Sequence, residues 1–134
     1  MNNAILSIEN LTVEFETLHG RVPALHGVSF ELNSGEILGI VGESGSGKTV
    51  ACRSILQLLP QTAQVQTGKI RFEDKNVLSL SQQDLSKIRG EKIAMIFQDP
   101  STHLDPVMRI GKQIGEALKV HFGLDSAQAR KRSI

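Results

Sequence analysis

Residues 37–49 read Ile37-Leu38-Gly39-Ile40-Val41-Gly42-Glu43-Ser44-Gly45-Ser46-Gly47-Lys48-Thr49, and this stretch decides the fold. Its first five residues form an apolar run of the kind found in strands buried on both faces. The next eight match Gly-x-x-x-x-Gly-Lys-Ser/Thr, a phosphate-binding loop pattern. Helix-compatible sequence follows, from Val50 to Leu58. Strand, loop and helix in that order are the setting the pattern requires. Gly42, Gly45 and Gly47 let the backbone approach phosphates closely. Successive N–H groups can then form an anion nest, aided by the positive end of the following helix. In this pattern Lys48 serves the β- and γ-phosphates, and Thr49 offers a hydroxyl to Mg²⁺, a hard ion that prefers oxygen. Glu43, Ser44, Ser46 and Val50 complete the expected nucleotide-contacting segment.

Outward from this loop, both flanks carry patterned sequence. Upstream, residues 4–16 read as a strand pair or one bent strand, with Leu11, Val13 and Phe15 alternating with Thr12 and Glu14. Residues 19–23 read as a turn, and Val28, Phe30 and Leu32 alternate as a half-buried strand. Asn33-Ser34-Gly35 turns the chain into the apolar run. Downstream, Pro60 marks a helix end, and residues 61–68 are polar without clear periodicity. A short strand is expected over 69–72. Ser81-Gln82-Gln83-Asp84 opens a short helix that Gly90 closes. Ile93-Ala94-Met95-Ile96-Phe97 reads as a second buried strand. Residues 99–108 form a loop, and Ile110, Ile114, Ala117 and Leu118 recur at helical spacing. Asp125-Ser126 starts a last helix, whose basic cluster Arg130-Lys131-Arg132 reads as a solvated face, with nucleic acid or anionic lipid as the alternative.

Composition narrows the function classes. The 134 residues suit one modest domain. Fifteen Lys and Arg balance fourteen Asp and Glu, so no bulk charge argues for nucleic acid. Five Phe with no Trp or Tyr leave little for base stacking. Cys52 is the single cysteine, which excludes an internal disulfide, and its helical position suggests a small core residue. His19, His26, His103 and His121 lack metal-ligand spacing. No apolar run approaches the length of a membrane span, so a soluble cytoplasmic chain is expected, reaching a membrane through a partner.

The runs "LGIVGESGSGKT" and "KIAMIFQDPSTHLDPVMRIGKQIGEAL" together resemble the ATPase subunits of ATP-binding cassette (ABC) transporters. Among these the likeness is to the bacterial oligopeptide, dipeptide and nickel importer group. It covers essentially all of this chain but only the N-terminal part of the family's domain. The resemblance implies an α/β P-loop NTPase fold, here incomplete. It would comprise N-terminal antiparallel strands, the Walker A strand, loop and helix, and the start of a helical subdomain. Residues 1–98 would belong to the nucleotide-binding core and 99–134 to the helical subdomain.

On the same basis Gln98 is the Q-loop glutamine, which in the family contacts Mg²⁺ or the attacking water. Asp99 as a Walker B magnesium ligand is the competing reading, and it lacks an adjacent catalytic Glu because Pro100 follows. Phe15 falls where the family often stacks an aromatic on adenine; a plain core Phe fits that strand position equally. The implied cofactors are ATP and Mg²⁺. The implied partners are permease membrane subunits through residues 99–108, a second ATPase subunit (the same or a related chain), and indirectly a periplasmic or lipoprotein solute-binding protein. The implied location is the cytoplasmic face of the inner membrane. The family's signature segment, Walker B Asp-Glu and switch His do not follow residue 98. Weak or absent hydrolysis by this stretch alone is therefore expected, as is a poorly soluble or partly molten state. A non-catalytic nucleotide-binding remnant and another P-loop ATPase or kinase are the alternatives.

Overall fold

Strand β1, Ala4–Thr17, is bent because its core-facing residues change parity. Leu6 and Ile8 are buried at even positions, Leu11 and Val13 at odd ones. An extended strand cannot present both sets to one side, since side chains alternate. The change occurs where pairing slips between Ile8 and Leu11, with Asn10 at φ 48°. This bulge re-aims the strand. Hydroxyl groups stand in for ladder partners there: Asn10 N donates to Ser29 Oγ at 2.8 Å, and Gly27 N to Thr12 Oγ1 at 3.1 Å. Gly68 faces the bulge, and a Cβ on it would lie 2.6 Å from Leu11 Cα. Only glycine lets the two backbones approach this closely.

The structure is a computed structural model that describes residues 4–134, less the side chains at 100 and 101. It contains two compact units, Met1–Ser81 and Gln82–Ile134. In the first, β2 (Gly20–Asn33), β3 (Ala63–Phe72) and the two-residue β4 (Lys75–Asn76) join β1 in an antiparallel sheet of order β2-β1-β3-β4. The β1–β2 hairpin turns tightly at Leu18-His19, so the turn expected over 19–23 is shorter and Arg21 to Pro23 lie in the strand. Helix α1, Lys48–Ile55, packs on this sheet and stops before the expected Leu58, with Gln57 at φ 49°. Ile8, Leu11, Val13, Leu25, Ile70, Phe72, Val77, Ala51 and Leu56 are buried. Each such large apolar side chain contributes about 1.5–3 kcal/mol.

Three expectations need correction. Strand β3 begins at Ala63, within the stretch that reads as patternless; its polar residues face solvent while the pairing to β1 supplies the order. Residues 37–41 and 93–97 form no strand apart from an isolated bridge between Arg89 and Ile93. Both runs leave apolar side chains bare, with Ile37 and Val41 97% exposed and Ile96 92%, while Ile93, Met95 and Phe97 are half-buried. A strand exists only by hydrogen-bonding to neighbours, and a parallel one is normally flanked on both sides. Among the described residues no strand pairs with either run. Cys52 is exposed rather than in the core, because α1 buries the face carrying Ala51 and Ser54.

In the second unit α2, Gln82–Ile88, buries Leu85 and Ile88 and ends before Gly90 at φ 84°. Helix α3, Ile110–Phe122, packs on α4, Ser126–Arg132, through the small residues Gly115 and Ala129. Asp125 caps α4 through a reciprocal box with Gln128, as the Asp-Ser start signal suggests.

Candidate functional site

Lys48 defines the site. Its ammonium group donates to Gly42 O at 2.7 Å, to Glu43 O at 2.6 Å and to Ser46 Oγ at 3.1 Å. An ammonium has three donors, and all three point into the loop's own curl. The loop is thereby closed around a positive charge at the head of α1. A further bond, Ser46 N to Glu43 O at 3.2 Å, tightens the turn. A Cβ on Gly42 would lie 2.7 Å from Ser46 Oγ, so the curl has no room for one.

Gly47 joins this loop to the sheet. It caps α1 in the left-handed conformation, φ 89° and ψ 0°. A Cβ there would lie 2.6 Å from both Ala24 O and the Leu25 side chain on β2. The loop pattern in the sequence indicates a glycine at this point for phosphate approach. The close packing on Ala24 and Leu25 is a second requirement, which no local motif carries. Helix α1 begins immediately, with Ala51 N bonding Gly47 O at 2.9 Å, and its N-terminal end favours anions. Ser54 Oγ donates back to Val50 O at 2.7 Å within the same helix.

The remaining expected residues distribute as follows. Glu43, Ser44, Gly45 and Thr49 are exposed around the loop; Val50 is half-buried. Phe15 is half-buried near the end of β1, paired with Val22 on β2. The same strand carries Ala24 and Leu25, against which Gly47 rests, so β2 links Phe15 to the loop. Gln98 lies in the other unit, exposed at a bend just before the short 3₁₀ turn Pro100–His103. Its neighbour Phe97 stacks on His103 with ring centres 3.8 Å apart. Thr102 Oγ1 donates to Asp99 O at 2.9 Å and firms up the turn. Among the described residues no three His, Cys, Asp or Glu side chains gather as a metal site.

A loop closed on a lysine, set between an antiparallel sheet and a helix N-terminus, defines a nucleotide-phosphate-binding protein of the P-loop class. A profile of the ABC transporter family matches residues 25–133, and the chain belongs to that family. It is 47% identical over 131 residues to the dipeptide transport ATP-binding protein DppD of Lactococcus lactis, covering 97% of this chain and 38% of the relative. It is 44% identical to the oligopeptide transport ATP-binding protein OppD of Bacillus subtilis, covering 97% of this chain and 37% of the relative. The chain thus spans well under half the length of these relatives. Among solved structures, the dimeric bacterial ABC transporter cassette MJ0796 superposes with a TM-score of 0.80 at 25% identity, covering 95% of this chain and 53% of that one. The fold is that of an ABC ATPase cassette, in part. Among the described residues no helix is long and apolar enough to cross a membrane.

Proposed function

We propose that this sequence is the nucleotide-gripping portion of an ATPase subunit that powers peptide import through membrane-spanning partners. The observation that carries the proposal is the Lys48 ammonium held by Gly42 O, Glu43 O and Ser46 Oγ at the start of α1. A closed, positively charged loop of this kind suits a triphosphate tail. Mg·ATP fits the donor set: the loop amides and Lys48, whose N–H groups would pass from loop oxygens to phosphate oxygens, and the exposed Thr49 hydroxyl for the metal. The ion would neutralise phosphate charge when bound. The residues of this chain supply positioning and electrostatic stabilisation, which dominate phosphoryl transfer. Phe15 is the candidate adenine platform, since β2 ties its position to the loop. Gln98 is the candidate sensor of the metal or the attacking water.

The peptide as solute comes from the DppD and OppD relatives. A pair of such subunits would enclose the nucleotide, as the dimeric cassette neighbour suggests. Residues 1–98 would form the nucleotide core, and residues 99–108 would contact the membrane-spanning subunits at the cytoplasmic face. A solute-binding protein would deliver the peptide on the other side. The test is titration of the full-length protein with fluorescent ATP and Mg²⁺. Lys48→Ala should weaken binding on the order of tenfold to a hundredfold, the loss of charge-assisted bonds. Gln98→Ala should spare binding and slow hydrolysis. No affinity for any nucleoside triphosphate in the parent protein would end the proposal. If Asp99→Ala alone removed Mg²⁺-dependent binding, the role given to Gln98 would be wrong.

A further inference from the structure

Asp105, Pro106, Val107 and Met108 form a closed turn ahead of α3. Met108 N donates to Asp105 O at 3.2 Å, and Val107 N donates to Asp105 Oδ1 at 2.9 Å. Asp at the first position and Pro at the second are the residues such a turn favours. The turn is also held from outside. Gln113, on the first turn of α3, donates from Nε2 to Asp105 O at 2.9 Å and to Met108 O at 2.8 Å. Its Oε1 accepts from Asp105 N at 3.1 Å. One carboxamide thus spends both of its N–H donors and its oxygen on three backbone groups of a single loop. At the tip of this turn Val107 is 93% exposed, and the flanking Leu104 and Ile110 are about half exposed, at 47% and 62%.

An exposed apolar tip on a loop gains affinity for a partner when the loop is already in its bound shape, because ordering it would otherwise be charged against binding. Gln113 supplies that order without itself reaching the tip. We propose that Gln113 is a positioning residue, holding the 105–108 turn and its projecting Val107 in the shape that docks on the membrane-spanning subunit. The inference rests on the reading of residues 99–108 as that contact, and it names the side chain that makes the contact stiff. Gln113 has no part in holding nucleotide; its three partners all lie on the turn.

The experiment uses the full-length protein and its membrane-spanning subunits in lipid nanodiscs. Gln113→Ala keeps a good helix former in α3, and Gln113→Glu keeps the volume while replacing both N–H donors by an oxygen. Both should weaken assembly about tenfold, the loss of two or three hydrogen bonds. Both should also speed amide exchange at Asp105 and Val107. Affinity and KM for ATP should stay at parental values and the melting temperature of the free subunit should fall by only a few degrees; a general folding defect would move all three. Val107→Asp, which leaves the turn closed but charges its tip, should abolish assembly. Parental assembly in both Gln113 variants, with Val107→Asp still defective, would overturn the role of Gln113 and leave the docking loop standing. Unchanged exchange at the turn would overturn it too. Normal assembly in Val107→Asp would instead remove the underlying reading of residues 99–108.

Discussion

The antiparallel sheet and the two apolar runs at 37–41 and 93–97 draw on the same kinds of side chain and end in opposite states. In the sheet, Leu11, Val13 and Ile70 are fully buried. In the runs, Ile37, Val41 and Ile96 are almost wholly bare. The difference is not hydrophobicity. Both sheet partners of β1 follow it within the described residues, β2 directly across a tight turn and β3 from Ala63 on. Antiparallel partners can be joined by a two-residue turn, as at Leu18-His19. Parallel partners need a crossover of a dozen residues or more, so their contacts are remote in sequence. Apolar content makes a segment ready for a strand; a neighbour's hydrogen bonds make it one.

The largest effect expected from this contrast concerns length. In a protein as long as the DppD and OppD relatives, further chain is available to pair with the two runs. Amides at 37–41 and 93–97 should then exchange slower by several orders of magnitude than in the 134-residue chain, while those of β1 and β3 change little. Equal protection of the runs in both lengths would break the comparison. Next in size is the core. Leu11→Ala or Ile70→Ala should cost about 2–5 kcal/mol in denaturant unfolding. Ile37→Ser or Val41→Ser in the same chain should stay within about 0.5 kcal/mol, as for ordinary surface positions. A large loss at position 37 or 41 would mean that the run is covered after all.

A smaller effect is expected at the joint between the two regions. Gly47→Ala forces an L side chain into the left-handed conformation and against Ala24 O, costing about 1–3 kcal/mol from backbone strain alone. Nucleotide titration and thermal melting should both report it, and a neutral result would detach the loop from β2. The smallest effect is at the turn that leads from β2 into the first run. Asn33 N and Nδ2 donate to the Glu36 carboxylate at 2.8 and 2.9 Å, and these bonds hold its pKa below the ordinary 4.5. A lowered folded-state pKa means a contribution present above pH 4.5 and lost as acid carries the pH down through the folded value. Glu36→Gln should remove that part of the pH dependence, read as parent-minus-variant stability from neutral pH into acid. A difference that grew in acid would reverse the sign and refute the assignment.

Particular residues mark how far the sequence could be read. The helix start after the glycine-rich loop, the cap at Asp125 and the Gly90 stop are local chemistry, and each stands where its pattern indicates. The first half of β3 escaped notice because its alternation is polar against small, with order imposed by β1. The parity change in β1 made residues 4–16 readable as either two strands or one, and the Asn10 bulge decided for one. Gln113 carried no motif at all: its role exists only because helix and turn fold back within eight residues of each other.

By itself the sequence marked residues 42–49 as a glycine-rich loop leading into a helix, because that pattern needs only neighbours along the chain. It also determined family membership, through patterns spread from residue 25 to residue 133. Tertiary structure alone decided which apolar segments became strands, why Gly47 must lack a side chain against Ala24 and Leu25, and which side chain holds the 105–108 turn. The first two depend on groups brought together from distant positions and the third on a helix folding back on its own loop, and hydrogen bonds and close packing act across space rather than along the chain.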